Sequence, residues 1–434
     1  MTSTAAPSDR EWARGAALAI WQHLASKDFA GWDPYDALNA TRIPGSIKNS
    51  RYVRRVLTQA VKRSPVPLQP VIGVRPEVDA YTLGHALLTA ARLSPAAPVT
   101  APAAGPIVER LRSSAVRSDD QIAWGYHFAV HTRFFSYVPP TPNLIVTAFV
   151  SKGMAAAGRA GLADCTEEVR GAVAFILHGL PRVSDDTGQC IGYVPGEKAV
   201  VHNANMLAVL VLCEAAELLA SDPEAPSWLA EAVSCARFTV ARQAPDGSWP
   251  YSEETYGRWV DGFHTGFVLE GLARLLRTIE NGDSAFSVDP AVKTGLETAL
   301  ERGVRYYVAQ LFGPNGEPKY YPARPYPFDA LSAAQGVETL HLAIGGHAAQ
   351  AVPGQLAWIR RHLVDPEGRV AYQVRKRWVD RREFPRWAGA PMMSALAGVA
   401  SEAAEGRGSE GGASEGGASG KGPSARGAQP GGAS

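Results

Sequence analysis

Residues 243–278, QAPDGSWPYSEETYGRWVDGFHTGFVLEGLARLLRT, contain one full copy of the unit from which the chain is built. A helix ends near Gln243. Asp246-Gly247 then makes a turn, where glycine supplies the positive φ that tight turns need. An aromatic loop follows, with Trp249, Tyr251, Tyr256 and Trp259, and after it the cluster Asp261-Gly262-Phe263-His264. Beyond the cluster, Phe267, Leu269, Leu272, Leu275 and Leu276 recur at helical spacing. Ring faces beside a carboxylate and an imidazole at a helix start suit a ligand site better than a core.

The same plan returns along the chain. FFSYVPPTPN leads into LIVTAFVSKGMAAAG, and GYVPGEKAVVHNAN into MLAVLVLCEAAELLA. PKYYPARPYPFDALS leads into AAQGVETLHLAI, and GRVAYQVRKRWVDRREFPRW into AGAPMMSALAGVA. The junctions fall at Asp79, Asn143, Asn203, Asp261, Asp329 and Trp387, roughly sixty residues apart, longer than common solenoid helix pairs. Helices of mixed polarity lie between them, over 165–180, 224–243, 290–311 and 354–364. A helix that is apolar all round must be buried on every side. Six of these, each backed by an outer helix, close into a ring. The expected fold is therefore all-α, an (α/α)6 toroid of six helical hairpins over residues 1–400.

Helices over 10–26 and 49–62 are expected to supply outer members for the first units, with 79–93 the first buried helix. Residues 95–106 read as a linker too proline-rich for a helix, and 106–120 as a short helix. The tail, 401–434, is rich in Gly and Ser with no apolar face and reads as a disordered extension.

The chain of 434 residues carries a net charge of only +1, which argues against a nucleic-acid binder driven by a basic field. Its 10 tryptophans and 14 tyrosines are ample for a pocket. Cys165, Cys190, Cys213 and Cys235 stand far apart with no CxxC, so neither a disulfide framework nor a structural zinc site is expected. No cofactor and no metal is called for. The start lacks the basic and apolar runs of a signal peptide, and no apolar stretch reaches transmembrane length without a charge or proline. The expectation is a soluble, cytoplasmic protein, with peripheral association to membrane machinery left open.

If the inner helices run parallel, their N-termini, the aromatic loops and the positive dipole ends meet at one mouth. Candidate catalytic residues are Asp261, His264 and Asp329. Candidate substrate-binding residues are Trp249, Tyr251, Arg258, Trp259, Asn203, Asn205, Tyr320, Tyr321, Arg386 and Trp387. Each has a plain structural alternative. Asp and Asn are preferred helix N-caps, the reading favoured for Asp79 and Asn143. Arg386 beside Trp387 suits a carboxylate or phosphate but equally a cation–π contact in the core. The aromatics can pack between hairpins. Asp261 and His264, three apart, share one face of a helical turn.

The six-unit pattern resembles the α/α toroid families: six-hairpin glycosidases, uronyl C5-epimerases, polysaccharide lyases and the terpenoid cyclase and protein prenyltransferase toroids. Within them it is similar to a bacterial family found with exopolysaccharide-biosynthesis machinery. The matching pieces are DPYDAL, RSPVPLQPVIGV, TPNLIVTAF, VHNANML, DGSWPYSEETYGRWVDGFHTGFVLEGL, KYYPARPYPFDALSAAQ and EFPRWAGAPMMSAL. That resemblance implies a saccharide substrate and association with polysaccharide-assembly machinery. QAPDGSW, with Gln243, Gly247 and Trp249, is similar to the glutamine–tryptophan repeat of triterpene cyclases. It occurs once, and neither their DxDD acid nor the prenyltransferase zinc set is present, so it speaks for the fold rather than the reaction.

Three functions follow. The first is carbohydrate chemistry. Either Asp261 and Asp329 act as acid and base on a glycosidic bond, or Asp261, His264 and a tyrosine move a proton beside a uronate carboxylate. The second is a terpenoid or prenyl-transforming enzyme, which needs an apolar cavity without arginine. The third is a non-catalytic sugar-binding or scaffold subunit, with aromatics but no paired acid and base.

Overall fold

The apolar stretches of the repeat form the inner wall of a ring. A computed structural model describes residues 6–48, 50–94, 98–132, 134–281, 286–345 and 347–408. In chain order the ring helices are α1 (Pro7–Ala25), α2 (Ala80–Leu93), α3 (Ala104–Ser114), α4 (Leu144–Arg159), α5 (Thr166–Ala174) and α6 (His202–Leu218). They continue as α7 (Ala225–Val240), α8 (Gly262–Asn281), α9 (Pro290–Leu311), α10 (Ala330–Val337), α11 (Gln355–His362) and α12 (Ala390–Gly408). Even-numbered helices are inner and odd-numbered ones outer. Each inner helix packs on the next, α2 on α4 and so on to α12, and α12 packs back on α2. The ring is closed, and the expected (α/α)6 toroid is the observed fold.

The junction residues begin these helices for the physical reason anticipated: a side-chain oxygen satisfies a free backbone N–H. Asp79 accepts from Tyr81 N at 2.9 Å, Asn143 from Val146 N at 3.0 Å, and Asp329 from Leu331 N at 3.0 Å. Where α2 crosses α4, glycine is required. A Cβ on Gly153 would stand 2.2 Å from the Gly84 carbonyl oxygen, and one on Gly84 would stand 2.7 Å from that of Phe149.

Four expectations need correction. Helix α1 backs α12 rather than the first units, so the N-terminus closes the ring against its last inner helix. The helix Arg51–Arg63 is no outer member; Thr58 and Lys62 on it line the cavity at the mouth. Prolines do not keep residues 98–114 from being helical: Pro98–Ala103 forms a 3-10 turn leading into α3. Helix α12 also runs on to Gly408, into the expected tail. Residues 409–434 of that tail lie outside the described residues.

The loops before the inner helices are more regular than the sequence suggests. Antiparallel pairs form between Val116–Ser118 and Gln121–Ala123, Val130–His131 and Ser136–Tyr137, and Arg182–Asp185 and Gly188–Ile191. Lys319–Tyr321, Arg324–Asp329, Gln373–Val374 and Val379–Asp380 build a four-stranded antiparallel sheet beside the mouth.

Two helical turns below the mouth, charges bridge opposite walls of the ring. Lys152 of α4 contacts Glu270 of α8 and lies 2.5 Å from Glu338, just past α10. Arg92 of α2 donates to both Glu338 oxygens at 2.6 and 2.8 Å. Gln335 donates to Glu270 at 2.7 Å. Paired cations hold the Glu338 carboxyl far below its usual range despite burial. Burial and the nearby Lys152 push His85 down to about 3, so it sits in this layer as a neutral ring.

Candidate functional site

Residues at the heads of the inner helices converge on one cavity of about 320 Å³. Tyr81, Ile145, Asn203, Phe263, Leu331 and Trp387 each contribute a wall, so the inner N-termini do gather at one end. The volume is at the small end of ligand pockets, about 300–1,000 Å³. Aromatic rings supply most of the lining. Tyr251 stacks on Trp259 at 4.7 Å with the ring planes nearly parallel, and Phe135 on Tyr193 at 4.4 Å.

At the head of α8, Asp261 is buried and fully engaged. Its Oδ1 accepts from the His264 backbone N–H at 3.0 Å. Its Oδ2 accepts from Trp259 Nε1 at 3.0 Å and faces His264 Nδ1 at 2.7 Å. A carboxylate oxygen already receiving an indole proton needs a donor from the imidazole, so Nδ1 carries the proton. His264 Nε2 is then left as an acceptor on a ring that lines the cavity. Tyr251 and Phe263 hold that ring from two sides, at 4.5 and 4.0 Å.

Arg386 lines the cavity, with a bidentate pair to buried Asp33 at 2.5 and 3.0 Å. Its guanidinium lies 5.0 Å from the Tyr126 ring centre. Lys62 reaches in from the mouth helix, bonded to the Tyr35 hydroxyl, with Nζ 4.4 Å from that ring and 5.6 Å from Trp387. No carboxylate among the described residues pairs with Lys62. Burial raises the Tyr81, Tyr126, Tyr193, Tyr251 and Tyr320 hydroxyls above their usual value, which keeps them as proton donors. Asn203 Oδ1 is a buried acceptor without a partner among the described residues, and Asn203 lines the cavity.

Of the residues singled out from sequence, Asp261, His264, Tyr251, Trp259, Asn203, Tyr320, Tyr321, Arg386 and Trp387 line this one cavity. The other four lie elsewhere. Asp329 is fully buried behind Trp387, whose Nε1 donates to it at 3.1 Å, while Gln373 donates at 2.8 Å. Asn205 turns away from the cavity: it accepts from Ile191 N at 3.0 Å and donates to Cys235 O at 2.8 Å, fastening α6 to α7. Trp249 packs between hairpins and donates to Thr239 O at 2.9 Å. Arg258 is exposed, outside the cavity lining, and donates to the Glu253 carbonyl.

Sequence reasoning missed Tyr35, Lys62, Tyr126, Phe128, His131 and Tyr193 in the lining. Two quoted stretches held part of this set: DPYDAL, which contains Tyr35, and the loop GYVPGEKAVVHNAN, which contains Tyr193.

No family model matches the sequence, and no curated protein matches it. Solved structures do. A GH76 alpha-mannanase from Bacteroides thetaiotaomicron superposes with a TM-score of 0.55 at 12% identity, over 76% of this chain and 88% of that one. A possible GH105 member from Salmonella enterica gives 0.56 at 11%, over 92% and 95%. The cellobiose 2-epimerase of Spirochaeta thermophila gives 0.51 at 14%, over 76% and 88%. The fold is the six-hairpin glycosidase-like toroid. At such identities the likeness concerns the toroid alone. Among the described residues no helix of this toroid is long and apolar enough to cross a membrane.

Proposed function

We propose that this toroid is a carbohydrate-active enzyme that moves a proton at a carbon of a sugar, in epimerisation, isomerisation or elimination. The observation that carries this reading is the makeup of the cavity. Asp261 is the one carboxylate among its lining residues, and it is committed to His264. A two-carboxylate hydrolysis needs a second acid at about 5–10 Å across the bond, and Asp329 does not line the cavity. A single oriented imidazole among tyrosine hydroxyls suits proton transfer instead.

In this reading His264 Nε2 takes a proton from the carbon beside a carbonyl or carboxylate. Asp261 stabilises the imidazolium that results. Negative charge developing on the sugar oxygen is met by tyrosine O–H donors such as Tyr251 or Tyr320. In the same reading His131, a second imidazole in the lining, returns a proton. The Tyr251–Trp259 platform offers its faces to the sugar ring. Lys62, which forms no ion pair with a carboxylate among the described residues, suits an acidic sugar. The likeness to solved glycoside hydrolases and an epimerase supports the substrate class, and the sequence resemblance suggests a place beside polysaccharide-assembly machinery in the cytoplasm. Arg386 and Lys62 in the lining weigh against a terpenoid cation.

The experiment is proton exchange. Purified protein is incubated in D2O with neutral aldoses, ketoses, uronic acids and oligosaccharides, and the sugar C–H signals are followed by NMR. Deuterium entering one carbon, and failing to enter with His264→Gln, supports the reading. Glycosidic cleavage without exchange would turn it into a hydrolase, and binding without turnover into a sugar-binding subunit.

A further inference from the structure

Between Asp36 and Glu77 the chain has no acidic residue and eight basic ones, in a protein whose net charge is +1. This is the segment that reaches over the cavity mouth. It also carries much of the exposed apolar surface. Tyr52 is 73% exposed, Val56 68%, Val66 56% and Val71 65%. On the helix Arg51–Arg63 the outward residues fall at helical spacing: Tyr52, Arg55, Val56 and Arg63, while Val61 on the opposite face is buried. An apolar ridge edged by arginines, on a helix whose other face already packs on protein, is a costly surface to leave in water. It is the arrangement of helices that lie in a bilayer interface.

A second element stands at the same edge. The turn joining Gln373–Val374 to Val379–Asp380 presents Lys376, Arg377 and Trp378, with Trp378 40% exposed and Arg375 5.2 Å from its ring. A groove of about 790 Å³ runs between this turn and Pro65, Pro67 and Pro76, and it is floored by Trp32. The two basic, apolar elements are therefore continuous across it. Tryptophan and tyrosine are the residues that settle at the level of lipid headgroups.

We propose that this face docks the toroid onto an anionic lipid bilayer, with Tyr52, Val56 and Trp378 entering the interface and the arginines meeting headgroup phosphates. A soluble polyanion would need the charges but has no use for the apolar ridge, which favours the bilayer. Docked this way, the cavity mouth is held near the membrane surface. The inference is independent of the chemistry inside the cavity.

The test is co-sedimentation of the full chain with vesicles of phosphatidylcholine alone or with about one-third phosphatidylglycerol. Binding is expected to the anionic vesicles only and to weaken with salt. Arg55→Gln with Arg63→Gln should lower partitioning about fivefold per arginine. Tyr52→Ser with Val56→Ser should lower it at least about tenfold, with a far-UV spectrum matching the wild type as the check that the helix is kept. Absence of binding to anionic vesicles, or equal binding to neutral ones, overturns the proposal. So does binding that the serine pair leaves untouched, which would mark a surface for soluble polyanions.

Discussion

Asp261 grips His264 twice, through the backbone N–H at 3.0 Å and through ring Nδ1 at 2.7 Å. One carboxylate thus starts helix α8 and sets the tautomer of the imidazole it holds. Asp261→Asn separates these duties. Asparagine caps helices as well as aspartate, but its amide NH2 cannot accept from the Trp259 indole, so stability should fall by about 1–3 kcal/mol. Catalysed deuterium exchange should fall about 10²–10⁴-fold, the range for losing general acid–base catalysis. An exchange rate equal to the wild type would remove the dyad from the mechanism.

Asp329 has the opposite profile, with structural work and no access. Asp329→Ala removes the cap of α10 and strands the Trp387 indole N–H and the Gln373 amide inside the protein. The expected loss is about 2–4 kcal/mol, read by denaturant unfolding. A loss of exchange activity with unchanged stability would return Asp329 to the catalytic list.

The third prediction concerns pH. Burial and the neighbouring Asp33 push the Asp36 carboxyl up to about 7. Its Oδ1 and the Gln69 Oε1 are both buried acceptors without a donor, and a proton on Asp36 supplies one. The folded value lies above the unfolded one of about 3.9, so the folded state binds this proton more tightly. Its stabilising effect is complete below about pH 4 and is lost as pH rises through 7. Asp36→Asn carries no such proton. The variant should gain on the wild type between pH 4 and 8, by on the order of 4 kcal/mol. Parallel melting curves for the two proteins across that range would refute the assignment.

At the α2–α4 crossing, Gly153→Ala places a methyl group against the Gly84 carbonyl. Backbone cannot yield as a flexible side chain does, so about 1–3 kcal/mol of stability should go. Ala at Gly15, where nothing lies within 4 Å, serves as the control and should be neutral or better. Thermal melts of the two variants decide it.

The ring was legible because burial on all sides leaves a continuous apolar helix, and six such stretches recur at one period. The caps Asp79 and Asn143 were legible for the same local reason. Asn203 and Asn205 show where that reading stops. Two residues apart on a helix, they point about 200° from each other, so one faces the cavity and the other fastens an outer helix. Nothing in the motif HNAN says which. Trp249 had a ring suited to a sugar, yet its turn carries it between hairpins. Tyr35 and Lys62 arrive from a segment far in sequence from the inner helices. The overall charge of +1 concealed the acid-free run over the mouth, because averaging over the chain erases a local field.

The charged layer spanned by Lys152, Glu270, Glu338 and Arg92 closes the ring's axis beneath the cavity. The toroid is thereby a cup and not a tube. A molecule that enters must back out through the same doorway, so under the proposed function product and substrate compete for one entrance. A polymer cannot be threaded through such a vessel; it can offer only its end, or a single loose unit.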